Sequence, residues 1–268
     1  MPDVKQCVEN LFPAPEQVPA QAEIAPQGHT LSMGLDYLIG GEVRRWRGAS
    51  TEVLSPVWLR QGGRAAPRVL GPCAALTKTE ALAALEAACR AWDRGCGEWP
   101  RMRIQERLRR LELFAIQMQA ARETCVRLLM WEVGKARTDA EKEFDRTVEY
   151  IEDTVSAVKN GDRNASRFFE HSGILAQIRS APLGVVLCLG PFNYPLNETF
   201  ATLIPAIVMG NPVVVKGPRF GMLCMAPLLQ AFAGCFPPGV VNVVNGDGAT
   251  VAGSIVESGR IASLAFIG

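Results

Sequence analysis

Histidine is nearly absent. His29 and His171 are the only two in 268 residues, and with no partner nearby in sequence they read as surface residues. Metal-ligand spacing is absent as well: Cys7, Cys73, Cys89, Cys96, Cys125, Cys188, Cys224 and Cys235 form no Cys-x-x-Cys pair and no Cys/His pattern, which argues against a zinc site. Reduced thiols in the cytoplasm are the simplest reading. A charge excess of one sign is missing too. With 28 Lys and Arg against 27 Asp and Glu, the formal net charge is +1, so no broad field draws the chain to nucleic acid or to an anionic membrane. Long apolar runs are lacking: Pro2, Pro13, Pro15 and Pro19 interrupt the first twenty residues, and the expectation is no signal peptide and no membrane anchor. No repeat, low-complexity tract or Gly-x-Gly-x-x-Gly fingerprint occurs. What remains is 29.0 kDa, enough for one large or two modest domains with real cores, and small-molecule chemistry as the leading class.

Four stretches differ in texture. Residues 1–75 are rich in Pro and Gly and read as an irregular N-terminal arm, with a hairpin at Tyr37-Leu38-Ile39-Gly40-Gly41-Glu42-Val43. Residues 76–165 read as helices. Thr77-Lys78-Thr79-Glu80 has the form of a capping box ahead of a helix to about Trp92. Ile104, Leu108, Leu111, Phe114 and Met118 share one face of a second helix, and Glu123 to Val133 continues as a third. A second capping box at Thr138-Asp139-Ala140-Glu141 predicts a long fourth helix carrying Phe144, Val148, Ile151, Val155 and Val158. Near Asn160-Gly161 helical spacing gives way to strand-like runs, the first at Ile174 to Ile178 within a strand region at 166–182. From 183 to 268 short apolar runs (Gly184 to Leu189, Pro212 to Val215, Val240 to Val244, Ile261 to Ile267) alternate with helix-length stretches (Leu196 to Met209, Phe220 to Phe236). That alternation is the signature of an α/β fold with a parallel sheet, and ligands bind such sheets at the carboxyl ends of the strands.

The residues that follow those runs are distinctive: Gly190-Pro191-Phe192-Asn193-Tyr194-Pro195, Lys216-Gly217-Pro218-Arg219 and Asn245-Gly246-Asp247-Gly248. Pro-Phe-Asn-Tyr-Pro, then Gly-Asn-x-Val-Val-x-Lys, then Pro-Pro-Gly-Val-Val-Asn-x-x-x-Gly and a closing Phe-x-Gly resemble the aldehyde dehydrogenase superfamily in order and spacing. Upstream, Glu132-Val133-Gly134-Lys135 and Glu143-Phe144-Asp145-Arg146-Thr147 extend the resemblance over roughly Tyr37 to Gly268. Arg146 together with Tyr194 is similar to the branch that oxidises glyceraldehyde 3-phosphate with NADP. The fold implied is aldehyde-dehydrogenase-like: an incomplete Rossmann-type parallel sheet (183–268) preceded by a helical segment and an oligomerisation strand.

The resemblance also implies roles. In this family a cysteine thiolate attacks the aldehyde, hydride passes to a nicotinamide, and a glutamate activates the hydrolytic water. Asn193 matches the amide donor to the oxyanion, a kind of contact worth about 3 kcal/mol of barrier lowering; without the resemblance it is an ordinary turn asparagine. Lys216 matches the lysine that hydrogen-bonds the adenosine ribose. Arg219 stands where NAD-preferring relatives often carry glutamate and could pair with the 2′-phosphate of NADP, the alternative being a solvated loop cation. Gly217 replaces the usual proline and loosens that loop. Gly190, Pro191, Phe192, Gly248, Phe266 and Gly268 match cofactor-facing backbone, whereas Gly253 falls one position late. Arg146, Tyr194 and Asn193 match substrate-binding positions, with a helix-surface pairing of Arg146 to Glu143 or Glu149 as the competitor.

The family's phosphate loop, general-base glutamate and nucleophilic cysteine follow the position of Gly268, and none of the eight cysteines matches the nucleophile. The expectation is therefore NADP-dependent oxidation of a small aldehyde, most simply glyceraldehyde 3-phosphate to 3-phosphoglycerate, by a cytoplasmic homo-oligomer of the full-length protein, with these 268 residues inactive alone and poorly stable. The alternatives are a dehydrogenase for another small aldehyde such as a semialdehyde, and a short non-catalytic interaction protein.

Overall fold

Valine-rich runs buried on both faces have no polar side to offer water, and they pair in parallel beneath helices on either side. The computed structural model describes residues 4–9, 11–24, 30–165, 168–177 and 179–268; His29 and Ile178 lie outside them. Helix α1 (Val4–Glu9) and strands β1 (Asp36–Ile39), β2 (Glu42–Arg45), β3 (Ser50–Gln61) and β4 (Arg64–Ala74) come first. A helical block follows: α2 (Lys78–Trp92), α3 (Glu98–Arg101), α4 (Ile104–Ala120), α5 (Arg122–Val133) and α6 (Arg137–Ala165). A small exposed hairpin of β5 (Phe169–His171) and β6 (Ile174–Ala176) leads into β7 (Val186–Leu189), α7 (Asn197–Val208), β8 (Val213–Lys216), α8 (Leu229–Cys235), β9 (Val241–Val244), α9 (Ser254–Glu257) and β10 (Ser263–Phe266).

The main sheet has the order β10-β7-β8-β9-β1-β2. Its first four strands are parallel, and Phe266, Leu189, Lys216 and Val244 stand level across the carboxyl edge. Alternation along the strands divides the core in two. Val186, Cys188, Val213, Val215 and Val243 face α4 to α8, and Leu187, Val214 and Val244 face α2 and α9. On the first side Phe114, Phe200, Phe232 and Phe236 form one aromatic cluster, Phe114 stacking on Phe232 with centroids 4.4 Å apart. Asn242, fully buried in β9, donates to the carbonyls of Val213 (3.1 Å) and Gly239 (2.8 Å) and accepts from the N–H of Gly40 (2.9 Å). One amide thereby ties the β1–β2 turn to the sheet.

Four local expectations are corrected. Residues 50–74 are not irregular: β3 and β4 form a long antiparallel hairpin with register shifts near Val53, Leu54 and Trp58, obscured in the sequence by Pro56, Pro67 and Pro72. The expected β1–β2 hairpin forms and pairs in addition with β9, Leu38 opposite Val243, so the β9 edge is covered. The capping box at Thr77 forms, with Glu80 accepting from the Thr77 N–H at 3.0 Å, but the one at Thr138 does not. Helix α6 begins at Arg137, where the Ala136 carbonyl takes the first N–H groups and Glu141 pairs with Arg137 at 2.9 Å. That helix also runs through Asn160-Gly161 to Ala165, and Phe220 to Phe236 divides into a 3₁₀ segment (Leu223–Leu228) and α8.

Candidate functional site

Because β7 to β10 are parallel, the loops after them open on one edge of the sheet. A cavity of about 450 Å³ lies there, walled by Lys216, Arg219, Phe220 and Met222 from the loop after β8, by Gly246, Asp247 and Gly248 from the loop after β9, and by Thr51 to Leu54 of β3. Lys216 is 9% exposed, and its ammonium makes no hydrogen bond or ion pair among the described residues. Burial draws its pKa down, with Asp247 partly opposing. A cation so placed is short of a partner, and a ribose hydroxyl or phosphate oxygen would supply one. Asp247 is otherwise occupied: the N–H and hydroxyl of Thr250 bind its carboxylate at 2.9 and 3.1 Å and hold it below the usual carboxylate range. Arg219 is exposed at the rim, 5.5 Å from the Phe220 ring centroid. The residues present thus fit the adenosine end of a dinucleotide.

The glycines divide by cause. Gly246 has φ +131° and would meet Leu76 O at 3.0 Å, so the turn itself requires it, whereas a Cβ at Gly248 would meet nothing within 4 Å. Open space there leaves the backbone approachable. Gly190 is fixed by packing, since a Cβ would lie 1.7 Å from Thr199 Oγ1. The late position of Gly253 coincides with a π-turn at Ala249–Gly253, the form that one extra residue takes inside a helix.

Two buried carboxylates hold the loops, a role that sequence reasoning gave to neither. Glu132, 2% exposed on α5, accepts the N–H groups of Met222 (3.0 Å) and Leu223 (2.9 Å), which seats the loop bearing Arg219. Burial pushes its carboxyl up to about 7, against the pull of backbone N–H groups from Gly221, Leu223 and Met222. Glu143 on α6, also 2% exposed, accepts from the N–H groups of Leu196 (3.0 Å) and Asn197 (3.2 Å) and pairs with Lys135, which seats the loop bearing Asn193. The Lys135 Nζ in turn lies 3.7 Å from the Tyr194 ring centroid. The two loops touch: a Cβ at Gly221 (φ +94°) would fall 2.5 Å from Pro195 Cβ. A carboxylate on an otherwise apolar helix face was the signal available in both cases.

Of the residues singled out from sequence, Gly190, Pro191, Phe192, Asn193, Tyr194, Lys216, Arg219, Gly248, Phe266 and Gly268 all lie at or just beyond this edge. Pro191 is buried, while Phe192, Asn193, Tyr194 and Phe266 are exposed. Arg146 is exposed on α6, one turn from Glu143, and pairs with neither Glu143 nor Glu149; among the described residues it has no ion pair. His171 is exposed on β5. Burial pushes the thiols of Cys73, Cys125 and Cys188 up to about 12 and raises those of Cys89, Cys224 and Cys235, so none of these six is poised as a thiolate. Among the described residues no cluster of three or more His, Cys, Asp or Glu could hold a metal ion, and no helix is long and apolar enough to cross a membrane.

A parallel sheet between helical layers, with a lysine that has no protein partner among the described residues and approachable glycine backbone at its carboxyl edge, defines an α/β fold whose strand-end cavity fits a nucleotide. The comparisons narrow that class. Residues 63–268 match the model of the aldehyde dehydrogenase family, and the chain belongs to it. It is 29% identical over 256 residues to aldehyde dehydrogenase B of Escherichia coli, covering 93% of this chain and 47% of that one. To malonate-semialdehyde dehydrogenase 1 of Bacillus thuringiensis subsp. konkukian it is 33% identical over 187 residues, covering 69% of this chain and 37% of the relative. The NADP-dependent glyceraldehyde-3-phosphate dehydrogenase of Bacillus halodurans, solved with NADP, superposes with a TM-score of 0.71 at 28% identity, over 86% of this chain and 47% of that one. The chain thus spans about half the length of these relatives, or less.

Proposed function

We propose that these residues form the cofactor-binding part of an NADP-dependent aldehyde dehydrogenase whose substrate is glyceraldehyde 3-phosphate, oxidised to 3-phosphoglycerate. The observation that carries this reading is the cavity in which Lys216 lacks a partner and Arg219 stands at the rim. Lys216 would hydrogen-bond the adenosine ribose, Arg219 would pair with the 2′-phosphate, and Gly248 would let the backbone approach. NADP, when bound, supplies the hydride acceptor for the oxidation. The amide of Asn193 would donate to the aldehyde oxygen as negative charge gathers there. Arg146, without an ion pair among the described residues, would bind the substrate phosphate, with Tyr194 adding a hydrogen bond from its phenol. The setting is cytoplasmic, and the assembly is a homo-oligomer, the latter supported by the exposed apolar side chains of Phe169, Ile174 and Leu175 on β5 and β6.

The test is kinetic, in the whole protein. Arg146→Ala should raise KM for glyceraldehyde 3-phosphate by roughly 100-fold, as expected for a lost charge-assisted contact, and leave KM for an unphosphorylated aldehyde unchanged. Equal effects on both substrates would remove the phosphate role. A second reading, oxidation of a small semialdehyde, draws on the 33% identity to a malonate-semialdehyde dehydrogenase, and activity indifferent to Arg146 would favour it.

A further inference from the structure

NAD and NADP differ only at the adenosine ribose 2′ position, and the wall of the cavity that comes from the N-terminal hairpin carries a carboxylate. Glu52 lines the same cavity as Lys216 and Arg219 but comes from β3 of the N-terminal hairpin. Among the described residues it has no hydrogen bond or ion pair, and it does not pair with Arg219 although the two line one space. Asp247, the other carboxylate there, is held by Thr250. Glu52 is therefore the acidic group of this cavity left uncommitted. We propose that Glu52 is a specificity-determining residue that opposes Arg219: its carboxylate accepts a ribose hydroxyl of NAD and repels the 2′-phosphate of NADP, so that the cavity admits both cofactors and Glu52 limits the preference for NADP. This rests on the cofactor reading above and extends it to a wall built from a different part of the chain. A carboxylate suits a 2′-hydroxyl, and an arginine suits a 2′-phosphate. Here both stand in one cavity of about 450 Å³, where a carboxylate and a phosphate dianion would be held close enough to repel across a partly desolvated gap.

Glu52 is exposed, so its substitution spares the core. The experiment titrates the purified protein with NADP and with NAD, following tryptophan fluorescence, for the parent, Glu52→Gln, Glu52→Lys and Arg219→Ala. Glu52→Gln should raise the ratio of NADP to NAD affinity by about tenfold, and Glu52→Lys by more. An unchanged ratio in both Glu52 variants, or equal shifts for the two cofactors, would overturn the inference. Arg219→Ala reads the underlying assignment separately: weakened NADP binding with NAD unaffected supports it, whereas no change removes Arg219 from the 2′-phosphate and leaves Glu52 to be judged by its own ratio. A parent that binds neither cofactor overturns both.

Discussion

Glu132 makes the stability of this protein run against the usual direction near neutral pH. Its carboxyl is displaced from the ordinary 4.5 up to about 7, chiefly by burial. Between those values the folded protein keeps a proton that the unfolded chain gives up. Stability from this group is therefore fully present below about pH 4.5 and is lost as pH rises through about 7. At about 1.4 kcal/mol per pH unit the loss is about 3 kcal/mol, a large fraction of a domain's stability. The ion-paired carboxylates Glu86, Glu106, Glu123 and Asp145 lie below their usual range. They stay ionised from pH 5.5 to 8, and their own contributions fail only in more acidic solution. Urea unfolding monitored by circular dichroism at pH 5.5 and pH 8 should find the protein more stable at the lower value by about 2 kcal/mol, the part of the loss that falls above pH 5.5. Glu132→Gln, which cannot titrate, should show no such slope. A flat or rising profile for the parent, or the same slope in the Gln variant, would refute the assignment.

Two further outcomes concern the scaffold. Asn242→Ala strands the N–H of Gly40 and frees the Val213 and Gly239 carbonyls inside the sheet, and should cost about 2 to 4 kcal/mol in chemical denaturation; a loss under ~1 kcal/mol would mean that water replaces the amide. Phe114→Ala empties the centre of the four-ring cluster and should cost about 3 to 5 kcal/mol, read as a lower urea midpoint with little change in m-value.

The parallel sheet was legible because Val213 to Val215 are apolar on both faces and Val241, Val243 and Val244 flank a single amide at Asn242, and the helices because Ile104, Leu108, Leu111 and Phe114 recur at helical spacing. The strand-end loops were legible as motifs. The long β3–β4 hairpin was not, since Pro56, Pro67 and Pro72 read as breaks when each is accommodated in a two-stranded ribbon with irregular register. The start of α6 was misread because Thr138 and Glu141 have capping-box spacing, while the backbone of Ala136 caps the helix and Glu141 turns to Arg137. Of the site, the residues on strand ends were found and their supports were not. Glu132 and Glu143 bind backbone N–H groups more than fifty residues away, and Glu52 reaches the cavity through a hairpin that local sequence does not reveal. Long-range polar contacts of this kind leave no periodic trace.

The contact between Gly221 and Pro195 means that the loop after β8 cannot shift without the loop after β7 registering it. Both loops are moored to one short stretch of chain, Glu132 to the first and Lys135, through Glu143, to the second. Whatever binds beside Arg219 and whatever binds beside Asn193 therefore share a spring. Linkage makes that sharing symmetric: the factor by which an occupant of one loop tightens the other is the factor returned, so order of arrival would alter the path and not the final affinity.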